Sequence, residues 1–425
     1  MRILMITTSY PKYPGETTAP FIEEIAAGIA QRGHVVHMLA PWHPDVQRST
    51  IERGVHLHFF AYAPHPALNV WGYAQSLRSD THLKWQTLTV MPFALIETLR
   101  ALRSMQHNHT PHATAHQPPH FDMIHAHWVL PNGLPAALAA QQWGLPLVVS
   151  LHGSDVYLAE RFAFTAPAAG VAFRAAAAVT ACSRDLHVRG LRLGARAASS
   201  YVIPYGVNPH EFHPDPAAHR EVRAELGLAA DTPLVVGIGR LVYKKGFGVL
   251  LDAWPAVLQH MPSAFLALVG YGDLRPTLER QAHALGIERR VAFTGQLERK
   301  RAAAYIAAAD VFALPIIRDQ GTDGLPNTLL EAMGAGCAVV ASGVAGVPDV
   351  IEDGKHGLIV PERDAAALAQ AIIRLLAEPA LAQRMGAAAR HHIETRLTWS
   401  HTAERFEQVY HAVQHDTREH RKEKP

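Results

Sequence analysis

Two carboxylates eight positions apart, Asp323 and Glu331, stand in the stretch Gln320 to Gly336, QGTDGLPNTLLEAMGAG, with Gly324, Leu325, Pro326 and Asn327 directly behind the first. Pro326 suits the first turn of a helix, where its missing N–H costs nothing, and Thr328 to Met333 continue it. On that reading Asp323 lies at the helix mouth and Glu331 inside the helix, on the side of Asn327. Free N–H groups and partial positive charge at a helix mouth suit a phosphate or a sugar hydroxyl. An ordinary capped helix with solvated acids gives the same letters. Arg240 and Lys245 bring cations to what reads as another strand end, where they neutralise a diphosphate, most of all as leaving-group charge develops. The acids then hold neutral hydroxyls of a sugar or ribose without a metal. His152 opens His152-Gly153-Ser154-Asp155 just past an apolar run, a place for either a ligand contact or a structural hydrogen bond.

These groups need parallel strands and helix mouths to hold them. Arg2 to Thr7 reads as a strand, Ser9 to Thr18 as a Pro- and Gly-rich loop, and Pro20 to Arg32 as a helix. In that helix Phe21, Ile22, Ile25, Ala26 and Ile29 recur with helical spacing, and Gly33 stops it. With His34 to Leu39 this makes a βαβ unit, whose Gly15 lets a backbone come close to a phosphate or simply makes a turn. Ile51 to Tyr62, Phe121 to His127, Pro146 to Leu151, Ala178 to Ser183 and Tyr201 to Ile203 add further strands, and His152 falls at the carboxyl end of one. After a polar stretch, Asn208 to Asp231, the pattern restarts with Pro233 to Ile238, Phe265 to Val269, Val291 to Phe293, Val311 to Leu314, Ala338 to Ala341 and Gly357 to Val360. Helices intervene, among them Phe247 to His260 and Asp364 to Ala377.

The expected fold class is therefore α/β, with two Rossmann-like doubly wound halves and a ligand cleft between them. The halves are expected over residues 1–205 and 206–397. A helix at about 398–414, carrying Trp399, Phe406 and Tyr410, packs away from its own half onto the first, and a charged, solvated tail covers 415–425.

Composition narrows the classes. A chain of 425 residues with 48% hydrophobic and 18% charged residues is globular and too long for one ordinary core. A formal net charge of +2 does not advertise nucleic acid. The opening MRILMITTSYPKYPG fails as a signal peptide, no run of eighteen uncharged apolar residues suggests a transmembrane helix, and Cys182 and Cys337 offer no metal spacing. The expected address is cytoplasmic.

Two segments carry competing readings. From Trp71 to Met105, Trp71, Tyr73, Trp85, Met91, Phe93, Leu95 and Ile96 interleave with Arg78, Lys84, Arg100 and Arg103. An amphipathic element at a membrane surface has this pattern, and so do buried helices with snorkelling basic residues, which are the commoner owners. His107, His109, His112, His116 and His120 lie in a Pro-rich run whose spacing fits no closed metal site and reads as an exposed loop.

Taken together these motifs resemble the family-4 retaining glycosyltransferases of the two-domain GT-B fold, over nearly the whole chain. The family's two acids separated by seven residues match Asp323 and Glu331, its Gly-Arg strand end matches Gly239-Arg240, and its Lys-Gly matches Lys245-Gly246. The HGSD run at His152, IPYGVN at Ile203 to Asn208, and GVAGVPDVIEDGKHG at Gly343 to Gly357 are also similar. The resemblance implies a nucleotide-sugar donor on the second half and a glycan or lipid-linked acceptor on the first. It implies Arg240 and Lys245 on the diphosphate, Glu331 on the ribose and Asp323 on a hydroxyl of the transferred sugar. Gly324, Leu325, Asn327 and Thr328 complete the donor site, His152 contacts the sugar near the reacting carbon, and Gly15 offers its N–H to a phosphate.

It further implies retention of configuration with no metal or other cofactor, and the chain has no Asp-x-Asp pair to hold a divalent ion on a diphosphate. Two departures stand out: Asp323 where the family usually has Glu, and a single Gly15 where many members have a glycine pair. Rival readings are a nucleotide-sugar epimerase or phosphorylase on the same scaffold, or a sugar-nucleotide binding protein without chemistry.

Overall fold

Short runs of aliphatic and β-branched residues form the strands, most of them buried on both faces as parallel sheets require. In the computed structural model of the chain, residues 1–63, 65, 68, 77–78, 82–83, 85–107, 121–162, 164–319, 321 and 323–422 are described. They divide into two units, Met1–Pro204 with Trp399–Pro425, and Tyr205–Thr398.

The first unit's strands are β1 (Arg2–Ile6), β2 (Val35–Pro41), β3 (Ile51–Glu52), β4 (Val55–Phe60), β5 (Leu77–Arg78), β6 (His82–Leu83), β7 (Met123–His127), β8 (Leu147–Leu151), β9 (Ala178–Ala181) and β10 (Ser200–Val202). Among the described residues, eight of them form one sheet ordered β10-β9-β8-β7-β1-β2-β4-β3, while β5 and β6 pair with each other. All neighbours in the large sheet run parallel except the β3–β4 hairpin. Strand order therefore turns back between β1 and β7, and Gly15 and His152 follow strands on either side of that point.

In the second unit β11 (Leu234–Ile238), β12 (Phe265–Val269), β13 (Val291–Gly295), β14 (Val311–Leu314), β15 (Ala338–Ser342) and β16 (Leu358–Val360) run parallel in the order β13-β12-β11-β14-β15-β16. The turning point lies between β11 and β14. Arg240 and Lys245 follow the first of these strands and Asp323 follows the second. The helix Phe247–His260 buries Leu250, Leu251, Trp254 and Val257 in the core of this unit, and Ala365–Ala377 joins it through Leu368, Ile372 and Leu375.

Three expectations need correction. The helix behind Asp323 spans Asn327–Gly334, and Pro326 precedes it in extended backbone (φ −69°, ψ 118°) instead of filling its first turn. The polar stretch Asn208 to Asp231 contains a helix, Pro216–Glu225, because Asp215 caps it by accepting the N–H groups of Ala217 and Ala218. The C-terminal helix runs Trp399–Lys422, through most of the residues expected as a tail. Its earlier turns bury Phe406, Val409, Tyr410 and Val413, and a helix so anchored propagates through polar residues at little cost. This helix packs against Pro20–Gln31, where Gly28 leaves room for Ala403.

The histidine-rich run from residue 108 to 120 lies outside the described residues, as do Trp71, Tyr73 and Lys84. The helix Trp85–His107 is described in its later turns. Val90, Ala94, Thr98 and Leu102 are buried at four-residue spacing, two of them against Tyr62 and Phe60, while Met91, Phe93 and Ile96 are exposed.

Candidate active site

In the second unit, the backbone after β11 turns through Tyr243–Lys245 and ends at Gly246, which has φ 69°. A Cβ there would stand 1.8 Å from the carbonyl oxygen of Pro315, so only glycine lets this loop press against the exit of β14. The approach brings Lys245 onto Asp323 Oδ2, and Lys244 Nζ lies 3.0 Å from Asp323 Oδ1. All three side chains are largely buried. Burial alone raises the Asp323 carboxyl, but the Lys244 and then the Lys245 ammonium overcome it and hold the group well below the usual carboxylate range.

Glu331 sits one turn into the helix behind this pair. Burial pushes its carboxyl up to about 7, against the pull of Arg299, with Glu211 adding to the rise and Lys245 opposing it. Arg299 is itself held by Glu211, with Nη2 to Oε2 at 3.0 Å, and lies over the Phe212 ring. At the helix mouth, Asn327 Oδ1 and Thr328 Oγ1 are buried and have no hydrogen-bond partner among the described residues. Buried polar atoms left in this state are uncommon and costly unless something else meets them. Gly324 and Leu325 are buried beneath, and Arg240 is half-buried in the loop that carries Lys245.

The first unit's site is built from rings. His152 is flanked by Phe21 and Trp128, each with ring centres 5.0 Å away, and its Nε2 lies 3.0 Å from His127 Nδ1. Trp128 has a left-handed backbone, φ 64°, unusual for a bulky residue and characteristic of positions where a site stores strain. The loop is stapled by Asp155, which accepts the backbone N–H groups of Val129 at 2.8 Å, Gly153 at 3.0 Å and His152 at 3.3 Å. Burial raises the Asp155 carboxyl to about 6 despite these bonds. It also holds His152 well below the ordinary imidazole range and His127 at about 3, so both rings are neutral. Gly15 stands in an exposed turn at φ 86° with open space around it; its backbone conformation, not crowding, selects glycine.

The structure thus gathers Lys245, Asp323, Glu331, Asn327 and Thr328 around one turning point, with Arg240 in the same loop, and places His152 and Gly15 in the other unit. Sequence reasoning missed Lys244, His127 and Asp155 as members of these sites. The doubled lysine and the closing Asp of the HGSD run were the available signals. Among the described residues no group of three or more His, Cys, Asp or Glu side chains is arranged to hold a metal ion.

The sequence matches the glycosyl transferases group 1 family over residues 219–392 and the glycosyl transferase 4-like domain over residues 17–206. It is 36% identical over 276 residues to a GDP-mannose-dependent alpha-(1-6)-phosphatidylinositol monomannoside mannosyltransferase of Mycolicibacterium smegmatis, covering 63% of this chain and 71% of that protein. The chain is a family-4 glycosyltransferase. A D-inositol 3-phosphate glycosyltransferase of Streptomyces scabiei is 32% identical over 325 residues, with 72% and 71% of the two chains covered. The GT-B fold of the family is also that of Anabaena HepE, crystallised in complex with UDP and glucose. That structure superposes with a TM-score of 0.72 over 97% of this chain and 100% of its own, at 20% identity.

Proposed function

We propose that this glycosyltransferase moves a hexose-type sugar from a nucleotide diphosphate sugar to a hydroxyl of a glycan or lipid-linked acceptor, with retention and without a metal. The observation that carries the donor assignment is the pair of orphaned polar atoms, Asn327 Oδ1 and Thr328 Oγ1, at a helix mouth beside two lysines. Lys245 and Arg240 balance the diphosphate, Glu331 accepts from the ribose hydroxyls, and Asp323 turns from its lysines to a hydroxyl of the sugar. Gly324 and Leu325 shape the floor, and Gly15 offers its N–H to a phosphate.

The acceptor oxygen forms its bond to the anomeric carbon on the face from which the nucleotide leaves. As the carbon–oxygen bond to the diphosphate breaks, the departing oxygen takes the acceptor proton. No protein nucleophile is needed, only groups that stabilise an oxocarbenium-like state and the leaving charge. His152, neutral and ring-packed, contacts the sugar without adding charge to it.

The acceptor reading draws on the relative named for phosphatidylinositol monomannoside and on the exposed Met91, Phe93 and Ile96, followed by exposed Arg100 and Arg103. Apolar and basic residues so placed suit peripheral binding at the inner face of the membrane from the cytoplasm. No single helix among the described residues is long and apolar enough to cross a membrane.

The test is a thermal-shift panel of UDP, GDP and their sugars on the wild-type and Lys245→Ala proteins. A ligand that binds only the native state raises its melting temperature. At least one nucleotide diphosphate is expected to do so in the wild type and much less in the variant; equal shifts in both sink the donor site.

A further inference from the structure

His127 ends β7 and His152 follows β8, its parallel neighbour, and their side chains meet through two ring nitrogens. Both rings are fully or almost fully buried, and His127 Nε2 has no hydrogen-bond partner among the described residues. One proton occupies the contact between His127 Nδ1 and His152 Nε2. If His152 supplied it, neutral His127 would carry its own proton on Nε2, leaving a buried N–H with nothing to accept it. If His127 supplies it, the unmatched atom on Nε2 is a lone pair. Orphaned buried N–H groups are the rarer of the two in folded proteins. Burial also disfavours a second proton on either ring, which removes the doubly protonated alternative.

We propose that His127 is a positioning residue: by donating from Nδ1 to His152 Nε2 it fixes the His152 ring and leaves the His152 proton on Nδ1. The inference rests on the reading that His152 meets the transferred sugar, and adds which of its nitrogens carries the hydrogen. Several features support a built device over an accident of packing. The Asn132 side-chain amide donates to the His127 carbonyl at 2.7 Å, and Asp155 pins the backbone of His152. Phe21 and Trp128 close on the His152 ring from other directions.

The experiment compares His127→Phe, which keeps a ring and removes the donor, with His127→Asn, whose amide N–H stands near the position of Nδ1. Donor turnover is read as nucleoside diphosphate released from GDP-mannose or UDP-glucose, whichever the thermal-shift panel selects. His127→Phe is expected to lower kcat about tenfold or more with KM for the donor and melting temperature little changed, and His127→Asn to restore most of it. In nitrogen-15 spectra of the wild-type protein, the His152 signals, identified by their loss in His152→Gln, are expected to report a proton on Nδ1. A proton on Nε2, or equal loss in the Phe and Asn variants, overturns the proposal. Full turnover in His152→Gln would defeat the role of His152 itself. Lost turnover there, with His127→Phe unimpaired, defeats only the positioning role.

Discussion

The two units of this enzyme solve different electrostatic problems with the same kind of scaffold. Around the turning point of the second sheet stand ions: Lys244, Lys245, Asp323 and, a little further in, Glu331, Arg299 and Glu211. Around His152 in the first unit stand rings, and the Asp155 carboxyl beside it is spent on backbone N–H groups. Cations suit a leaving diphosphate, whereas neutral packed rings suit the shape and orientation of a sugar ring without adding charge beside it. The contrast sets an ionic cluster in one unit against a ring cluster in the other, and substitution can test whether the proposed roles divide the same way.

The largest expected effect comes from the ionic side. Lys245→Ala and Arg240→Ala should each lower turnover by about tenfold to a hundredfold with the fold intact, and weaken nucleotide diphosphate binding. Full activity in both removes the assignment. His152→Gln should lower turnover by about tenfold while leaving the affinity for UDP or GDP unchanged, since the described side chains packed on its ring are other rings and not cations. Calorimetric titration with the nucleotide alone separates the two cases, and a parallel loss of nucleotide affinity would erase the contrast.

Asp323→Asn sharpens it further. Asp323 pairs with both lysines, so its neutral replacement should leave them freer for an anion and bind UDP or GDP about a few-fold tighter. Transfer should fall because an amide oxygen is a weaker acceptor than a carboxylate for the sugar hydroxyl it is proposed to hold. Weaker nucleotide binding by this variant would show that the acid orders the lysines instead of competing for them.

The smallest effect is on stability. Glu331 has a carboxyl raised to about 7 from an ordinary 4.5, so the folded state binds its proton more tightly than the unfolded state. Its contribution to stability is complete below the unfolded value and is lost as pH rises toward 7. Glu331→Gln should therefore gain a few degrees of melting temperature on the wild type between pH 5 and pH 8. A gap that stays constant with pH would show the carboxyl is not perturbed.

Much of the ionic site could be read from the letters. Gly239-Arg240, Lys245-Gly246 and the Asp323-to-Glu331 spacing are local, and local spacing on strand ends and helix mouths survives folding. The strands Phe265–Val269 and Val311–Leu314 were legible to the residue for the same reason. What stayed hidden depends on contacts across elements. That Lys244 shares Asp323 with Lys245 follows from Gly246 touching Pro315, some seventy residues away in sequence. The bond between His127 and His152 needs the parallel register of β7 on β8, which pairs His127 with Ser150 and brings the next loop overhead. The polar residues after His415 misled because composition there is that of a tail, while the helix is started by buried neighbours upstream.

Gly246 has one more implication. With its α-carbon lodged against the Pro315 carbonyl, the segment bearing Lys244 and Lys245 and the strand leading toward Asp323 are geared together. A methyl group at position 246 would have to push that carbonyl away, and with it change the spacing between the lysines and Asp323.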